Sequence, residues 1–200
     1  MNTAPSSLPN AARTGIFAIL ALVMLATRIH HFDILPDASW AVFFVAGFYL
    51  RGSARWGFPL LIALAVLIDF FVITGQGIDF WSHYCVSPAY WFLVPGYAAL
   101  WAGGAWLRAR YAGLHVRELG LTAGSVLVAA SVCYVISNGS FYWLSASVPS
   151  RSFAGWLENL GDWYLPFLST TALYVGSAAV AQVAVALAAR RLPTGAFAQR

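Results

Sequence analysis

Charge is what this chain has least of. Only 9% of its 200 residues are Asp, Glu, Lys or Arg, against 60% hydrophobic residues and a mean hydropathy of +0.73. A soluble domain carries about a quarter charged residues, so the composition excludes a water-covered globule and predicts a polytopic membrane protein. Lysine is absent altogether, and all eleven basic residues are arginine. These are spread over separate short segments without interleaved aromatics, which argues against a nucleic-acid partner despite a pI near 9.3. Two cysteines, Cys85 and Cys133, cannot make a disulfide framework. The Ser- and Pro-containing start, Met1 to Asn10, shows no cleavage site ahead of the first apolar run. That run is expected to be a retained span and not a signal peptide. At this length the chain forms one compact bundle without a second soluble domain.

What is present in place of charge is a series of apolar runs. A span needs about 20 residues to cross about 30 Å of hydrocarbon. Six can be drawn, at about Thr14 to Arg28, Ala38 to Leu50, Trp56 to Thr74, Ser87 to Leu107, Leu119 to Tyr142 and Asp162 to Ala189. The second is short, and the sixth is long enough to extend past the bilayer. The expected organisation is an N-terminal tail (1–13), a six-helix transmembrane domain (14–190) and a C-terminal tail (191–200), all-α throughout.

Nine arginines (Arg13, Arg51, Arg55, Arg108, Arg110, Arg117, Arg190, Arg191 and Arg200) fall on one side of this layout. Only Arg28 and Arg151 fall on the other, together with Asp33, Asp37, Asp79, Glu158 and Asp162. The positive-inside rule then puts both termini in the cytoplasm. The loops around 29–37, 75–86 and 143–161 face outward, and they are rich in Trp, Tyr, His, Ser and Asn. Chemistry is expected on that side. His115 and Glu118 read as part of a solvated, topology-setting cytoplasmic loop.

Asp69 is the sole carboxylate inside a span, five residues before Thr74. An ionisable group there needs a partner or a task, and Arg28 at the outer end of the first span is the expected partner. Cys85 sits in the outer run Trp81-Ser82-His83-Tyr84-Cys85-Val86-Ser87-Pro88. A thiol where two apolar segments surface is a candidate soft ligand or nucleophile. It has no CxxC partner, and His83 is too near in sequence for the usual zinc spacing, so no independent metal site is expected. His30, His31 and His83 all fall on the outer side, where a Cys–His pair is conceivable. Cys133, among small apolar residues, reads as packing. The segment Ser137-Asn138-Gly139-Ser140-Phe141-Tyr142-Trp143 combines amide, hydroxyl and flat apolar surfaces, which suits a large neutral ligand bearing amides. Ala102, Gly103, Gly104 and Ala105, and the Ala-rich stretch 178–189, let helices approach closely.

The six-span layout with a short second span, the run Tyr84-Cys85-Val86-Ser87-Pro88-Ala89-Tyr90 and the segment Ser137-Asn138-Gly139 resemble the BtuM family. These are small bacterial inner-membrane proteins similar to the substrate-binding S-components of energy-coupling-factor (ECF) vitamin transporters. The resemblance covers about Arg13 to Arg190. It implies a vitamin B12 (cobalamin) transporter with a pocket opening to the periplasm, built from outer loops and helix ends in a bundle of the ECF S-component kind. The first span lacks the AxxxA pattern through which S-components meet the ECF transmembrane subunit, which fits a protein working without a dedicated ECF module. Cobalamin gives Cys85 a task, because a corrin cobalt has an axial position open to thiolate. Cys85 is then both the metal ligand and the group that decyanates cyanocobalamin. Trp81, His83, Tyr84 and Tyr90 are expected around the corrin, with Asp69, Asn138 and Arg151 toward its amides or nucleotide tail.

Other readings stay open at this point. One is a membrane enzyme using Cys85 with His83 as a thiol nucleophile. Another is an S-component-like transporter of a different vitamin, since fold does not fix ligand. A third is a non-catalytic subunit packing through its small-residue faces.

Overall fold

The computed structural model describes residues 8–29 and 36–191, and among these there is no strand. Six α-helices follow in order: α1 (Asn10–Arg28), α2 (Ser39–Leu50), α3 (Ala54–Gly75), α4 (Leu93–Arg110), α5 (Val116–Leu144) and α6 (Phe153–Arg191). Short 3₁₀ turns cover Arg51–Ser53, Phe80–Ser82 and Pro88–Phe92. Four stretches are long and apolar enough to cross a membrane: Asn10–Arg28, Ser39–Gly75, Val116–Leu144 and Phe153–Ala189. That is the make-up of a multi-pass membrane protein.

The stretch Ser39–Gly75 is not one rod. Arg28 hydrogen-bonds both Ser39 and Asp69, whereas thirty residues of straight helix would separate those two by about 45 Å. The chain therefore reverses at the turn Arg51–Ser53, and α2 and α3 form a hairpin. Ten of the twelve α2 residues are buried, and the helix packs against α1, α3, α4 and α6. A helix apolar on every side belongs in the middle of a bundle, and this explains why the second apolar run is both very hydrophobic and short.

Glycine sets the closest approach in that core. A Cβ on Gly104 would collide with the Phe44 carbonyl, and one on Gly47 with the Trp101 carbonyl. A Cβ on Gly103 would come to 2.5 Å from that of Ala129 on α5. The small residues of α4 thus serve packing within the chain.

α1 and α5 start four and three residues before the expected Thr14 and Leu119, at Asn10 and Val116, and two further boundaries differ more. The fourth apolar run opens as a 3₁₀ turn at Pro88–Phe92 before α4 begins. The sixth begins nine residues earlier than expected, at Phe153, because Ser152 Oγ accepts from the Gly155 amide at 3.0 Å and caps the new turn. Glu118 also departs from expectation. It stands in the first turn of α5 and is 3% exposed, so it is no part of a solvated loop.

Candidate functional site

The α3–α4 connection is built from successive tight turns. Asp79 Oδ1 accepts from the amides of Trp81 and Ser82, both at 3.1 Å, and so fixes the first 3₁₀ turn. The Val86 amide donates to the His83 carbonyl at 2.8 Å, and Ser87 Oγ accepts from the Ala89 amide at 3.3 Å. Cys85 is held between these anchors and is half-buried. Trp81 stands 70% exposed, with Tyr84, Trp91 and Phe92 also exposed nearby in the loop, while His83 is buried and its ring lies 4.5 Å from that of Tyr84.

The electrostatics of the thiol follow from this setting. Burial pushes the Cys85 thiol up, opposed by the Tyr84 hydroxyl as a donor to sulfur and by Arg28, and assisted by Asp69. The same pairing with Cys85 pushes the Tyr84 hydroxyl up to about 12. His83 Nδ1 accepts from the Cys85 backbone amide at 3.3 Å. The imidazole therefore meets the backbone of Cys85, and the side chain acting on the sulfur is Tyr84.

Beneath the loop lies a buried polar cluster. The Arg28 guanidinium is bidentate on Asp69, with Nε to Oδ1 at 2.7 Å and Nη2 to Oδ2 at 2.6 Å. Its Nη1 donates to Asp37 at 2.8 Å, to Ser39 Oγ at 3.0 Å and to the Tyr97 hydroxyl at 3.3 Å. The Tyr90 hydroxyl donates to Asp69 Oδ2 at 2.6 Å. Asp37 Oδ1 in turn accepts from the Ser39 amide and hydroxyl at 2.9 and 2.6 Å, tying the start of α2 to the end of α1. Charge-assisted, bidentate bonds of this kind are the strong ones. The expected Arg28–Asp69 pair is thus present, and both Asp69 oxygens are engaged. Asp37, Ser39 and Tyr97 were not singled out from the sequence, although Asp37-Ala38-Ser39 ahead of an apolar run is a helix-start signal.

The remaining candidates lie on the α5–α6 hairpin. Asn138 Nδ2 donates to Asn159 Oδ1 at 2.8 Å, and Asn138 Oδ1 is buried with no hydrogen-bond partner among the described residues. Arg151 donates to the Ser145 carbonyl at 2.7 Å and is exposed. The turn Pro88–Phe92 packs on α5, which joins the cysteine loop to this hairpin. Cys133 is fully buried against Gly96, as its packing reading requires. His30, His31 and Asp33 lie outside the described residues. Neither of the two large cavities, of about 320 and 680 Å³, is lined by Cys85 or by its expected companions.

Compared with known proteins, the chain matches no family model and no curated protein.

Proposed function

We propose that the protein binds and takes up vitamin B12 across a bacterial inner membrane, as a six-span bundle of the ECF S-component kind with Cys85 as axial thiolate ligand to the cargo's cobalt. The setting of Cys85 carries this reading. A half-buried thiol sits over a fully bonded Arg28–Asp69–Tyr90 cluster, beside exposed Trp81, Tyr84 and Trp91. Flat aromatic surface next to a soft ligand suits a planar macrocycle. Among the described residues no three His, Cys, Asp or Glu side chains come together as a metal site. A corrin brings most of its cobalt's donors itself and leaves an axial position for one soft ligand from the protein.

Six crossings follow when the stretch Ser39–Gly75 is counted as a hairpin of two and α4 is added to the four long apolar stretches. With six crossings the start of α1 and the end of α6 fall on the same, arginine-rich side, which is cytoplasmic under the positive-inside rule. The Cys85 loop then faces the periplasm. The short α2, with about 18 Å of helical rise, is enclosed by its neighbours and covers only part of the hydrocarbon thickness, and the bilayer is the partner of the outer helices. With both Asp69 oxygens occupied, Asp69 acts on the site by holding Tyr90. Asn138, through its unpartnered Oδ1, and Arg151 are the groups left for corrin amides or the nucleotide tail.

Binding through sulfur is a ligand substitution. The Cys85 thiol gives up its proton, and its lone pair displaces the cofactor's own base on one face of cobalt. Where cyanide occupies the other face, thiolate donation weakens that bond. Cyanide departs with its electron pair and takes up a proton as hydrogen cyanide, leaving the oxidation state of cobalt unchanged.

The test is the ultraviolet–visible spectrum of purified protein with cyanocobalamin, wild type against Cys85→Ser. A cysteine-dependent displacement of the vitamin's bands is expected. Identical spectra with retained binding would remove Cys85 from the chemistry, and absence of binding in both proteins would remove cobalamin.

A further inference from the structure

Glu118 lies in the wall of the 320 Å³ cavity, at the arginine-rich end of the bundle, between α2, the α4–α5 connection and α6. The residue is 97% buried by its 3% exposure, and Oε2 has no hydrogen-bond partner among the described residues. Of the polar neighbours, Thr122 and Gln182 are committed elsewhere, while His115, exposed at the N-cap position of α5, also lines the cavity. The Thr122 hydroxyl donates to the Glu118 backbone carbonyl at 2.7 Å. Gln182 accepts from the Tyr49 hydroxyl and donates to that of Tyr111 at 3.2 Å. A buried carboxylate with no donor is costly, and an ionisable group in such a place marks a site more often than it fills a core. Most of the rest of the wall is aromatic and aliphatic, including Phe44 and Phe48, with His115, Thr122 and Gln182 as its other polar side chains. A mostly apolar cavity with one charged group is the usual form of a ligand site.

The cavity is not closed on itself. It shares Val45, Tyr49, Ala178 and Gln182 with the 680 Å³ groove between α1, α2 and α6. That groove follows α2 from Tyr49 to Ala38, about 16 Å of helical rise, or about half the hydrocarbon thickness of a bilayer. Outside the carboxylate cavity, the Arg108 guanidinium lies over the Phe48 ring, 5.6 Å from its centroid.

We propose that the joined cavities hold an ethanolamine phospholipid, with its ammonium against Glu118, its phosphate toward Arg108 and one acyl chain along α2. Charge complementarity selects this occupant. An ammonium brings both the positive charge and the N–H donors that Oε2 lacks, and aromatic walls favour a cation. A glycerol headgroup offers Glu118 hydroxyls without charge, and a choline headgroup offers charge without N–H.

The experiment is native mass spectrometry of the full-length protein in detergent. Dioleoyl phosphatidylethanolamine, phosphatidylglycerol and phosphatidylcholine are added at equal concentration. Wild type should retain the ethanolamine lipid roughly fivefold over either competitor, the scale of one net hydrogen bond. Glu118→Gln should bring the three within about twofold of one another on the same scale. Ala178→Phe, which fills the shared wall, should lower retention of all three. Should Glu118→Gln fail to give monodisperse protein, the wild-type ranking and Ala178→Phe decide. Equal retention of the three lipids by wild type overturns the proposal, as does an ethanolamine preference that survives Glu118→Gln. Lipid retention untouched by Ala178→Phe overturns it too.

Discussion

Replacing Arg28 with methionine keeps the length and apolar stem of the side chain and deletes its charge. In the native protein that charge makes two bonds to Asp69 and one each to Asp37, Ser39 and Tyr97, all between 2.6 and 3.3 Å. The carboxylates left behind are 9% and 13% exposed, so water does not replace the guanidinium. Breaking a buried ion pair by removing one partner costs about 3–5 kcal/mol. At roughly 2–4 °C per kcal/mol for a chain of this size, the apparent Tm should fall by roughly 6–20 °C. The assay is thermal unfolding in detergent, followed by far-ultraviolet circular dichroism at one fixed scan rate. The variant Arg28→Met/Asp69→Leu supplies the second half of the cycle. With the Asp69 charge also gone it should recover part of the loss, giving a coupling of about 1–3 kcal/mol. The recovery is incomplete because Asp37 keeps its charge. A single variant within about 1 kcal/mol of wild type would refute the reasoning. So would additive losses in the double variant, since they would mean that the cluster contributes no pairwise energy.

Binding through sulfur of a cobalamin that carries no cyanide should release one proton, because burial keeps Cys85 in the thiol form at neutral pH and no departing cyanide takes the proton up. The cysteine-dependent part of the affinity should therefore rise about tenfold per pH unit below the thiol pKa, and a pH-independent affinity that still requires Cys85 would exclude thiolate ligation. Maleimide labelling of native protein should modify half-buried Cys85 and spare Cys133, which is fully buried, with two thiols reacting only after denaturation; mass spectrometry counts the adducts. Gly104→Ala drives a methyl into the Phe44 carbonyl and should cost about 1–3 kcal/mol or more, whereas Gly15→Ala, with nothing near its Cβ position, should be neutral or stabilising in the same melt. Ser152→Ala removes the cap of α6 and should cost about 1 kcal/mol, visible as faster hydrogen exchange in the first turns of that helix.

What could be read from sequence was whatever hydropathy and isolation express. Asp69 stood alone in an apolar run, and a carboxylate there requires a partner; Arg28, at the matching end of its own run, was the partner found. Tyr90 and Tyr97 belong to the same cluster but could not be told from an interfacial aromatic belt, which places the same residue type at the same depth for another reason. The second run, about Ala38 to Leu50, read as a short span because it was judged by length; its uniform apolarity was the better signal, since a helix with no polar face has to be surrounded. The start of α6 was hidden because Trp156, Glu158 and Asn159 look like outer-loop composition, while a single serine at 152 decides where the helix begins. Glu118 is the sharpest case. Its neighbours Val116 and Leu119 are 84% and 67% exposed, so the apolar residues of that turn face outward and the charged one faces in. Composition cannot reveal such an inversion, because it depends on the rotational register of α5 against α2 and α6. In the first turn of α5 the carboxylate meets the positive end of the helix dipole, and the ethanolamine lipid proposed for the cavity would add the N–H donor that Oε2 lacks.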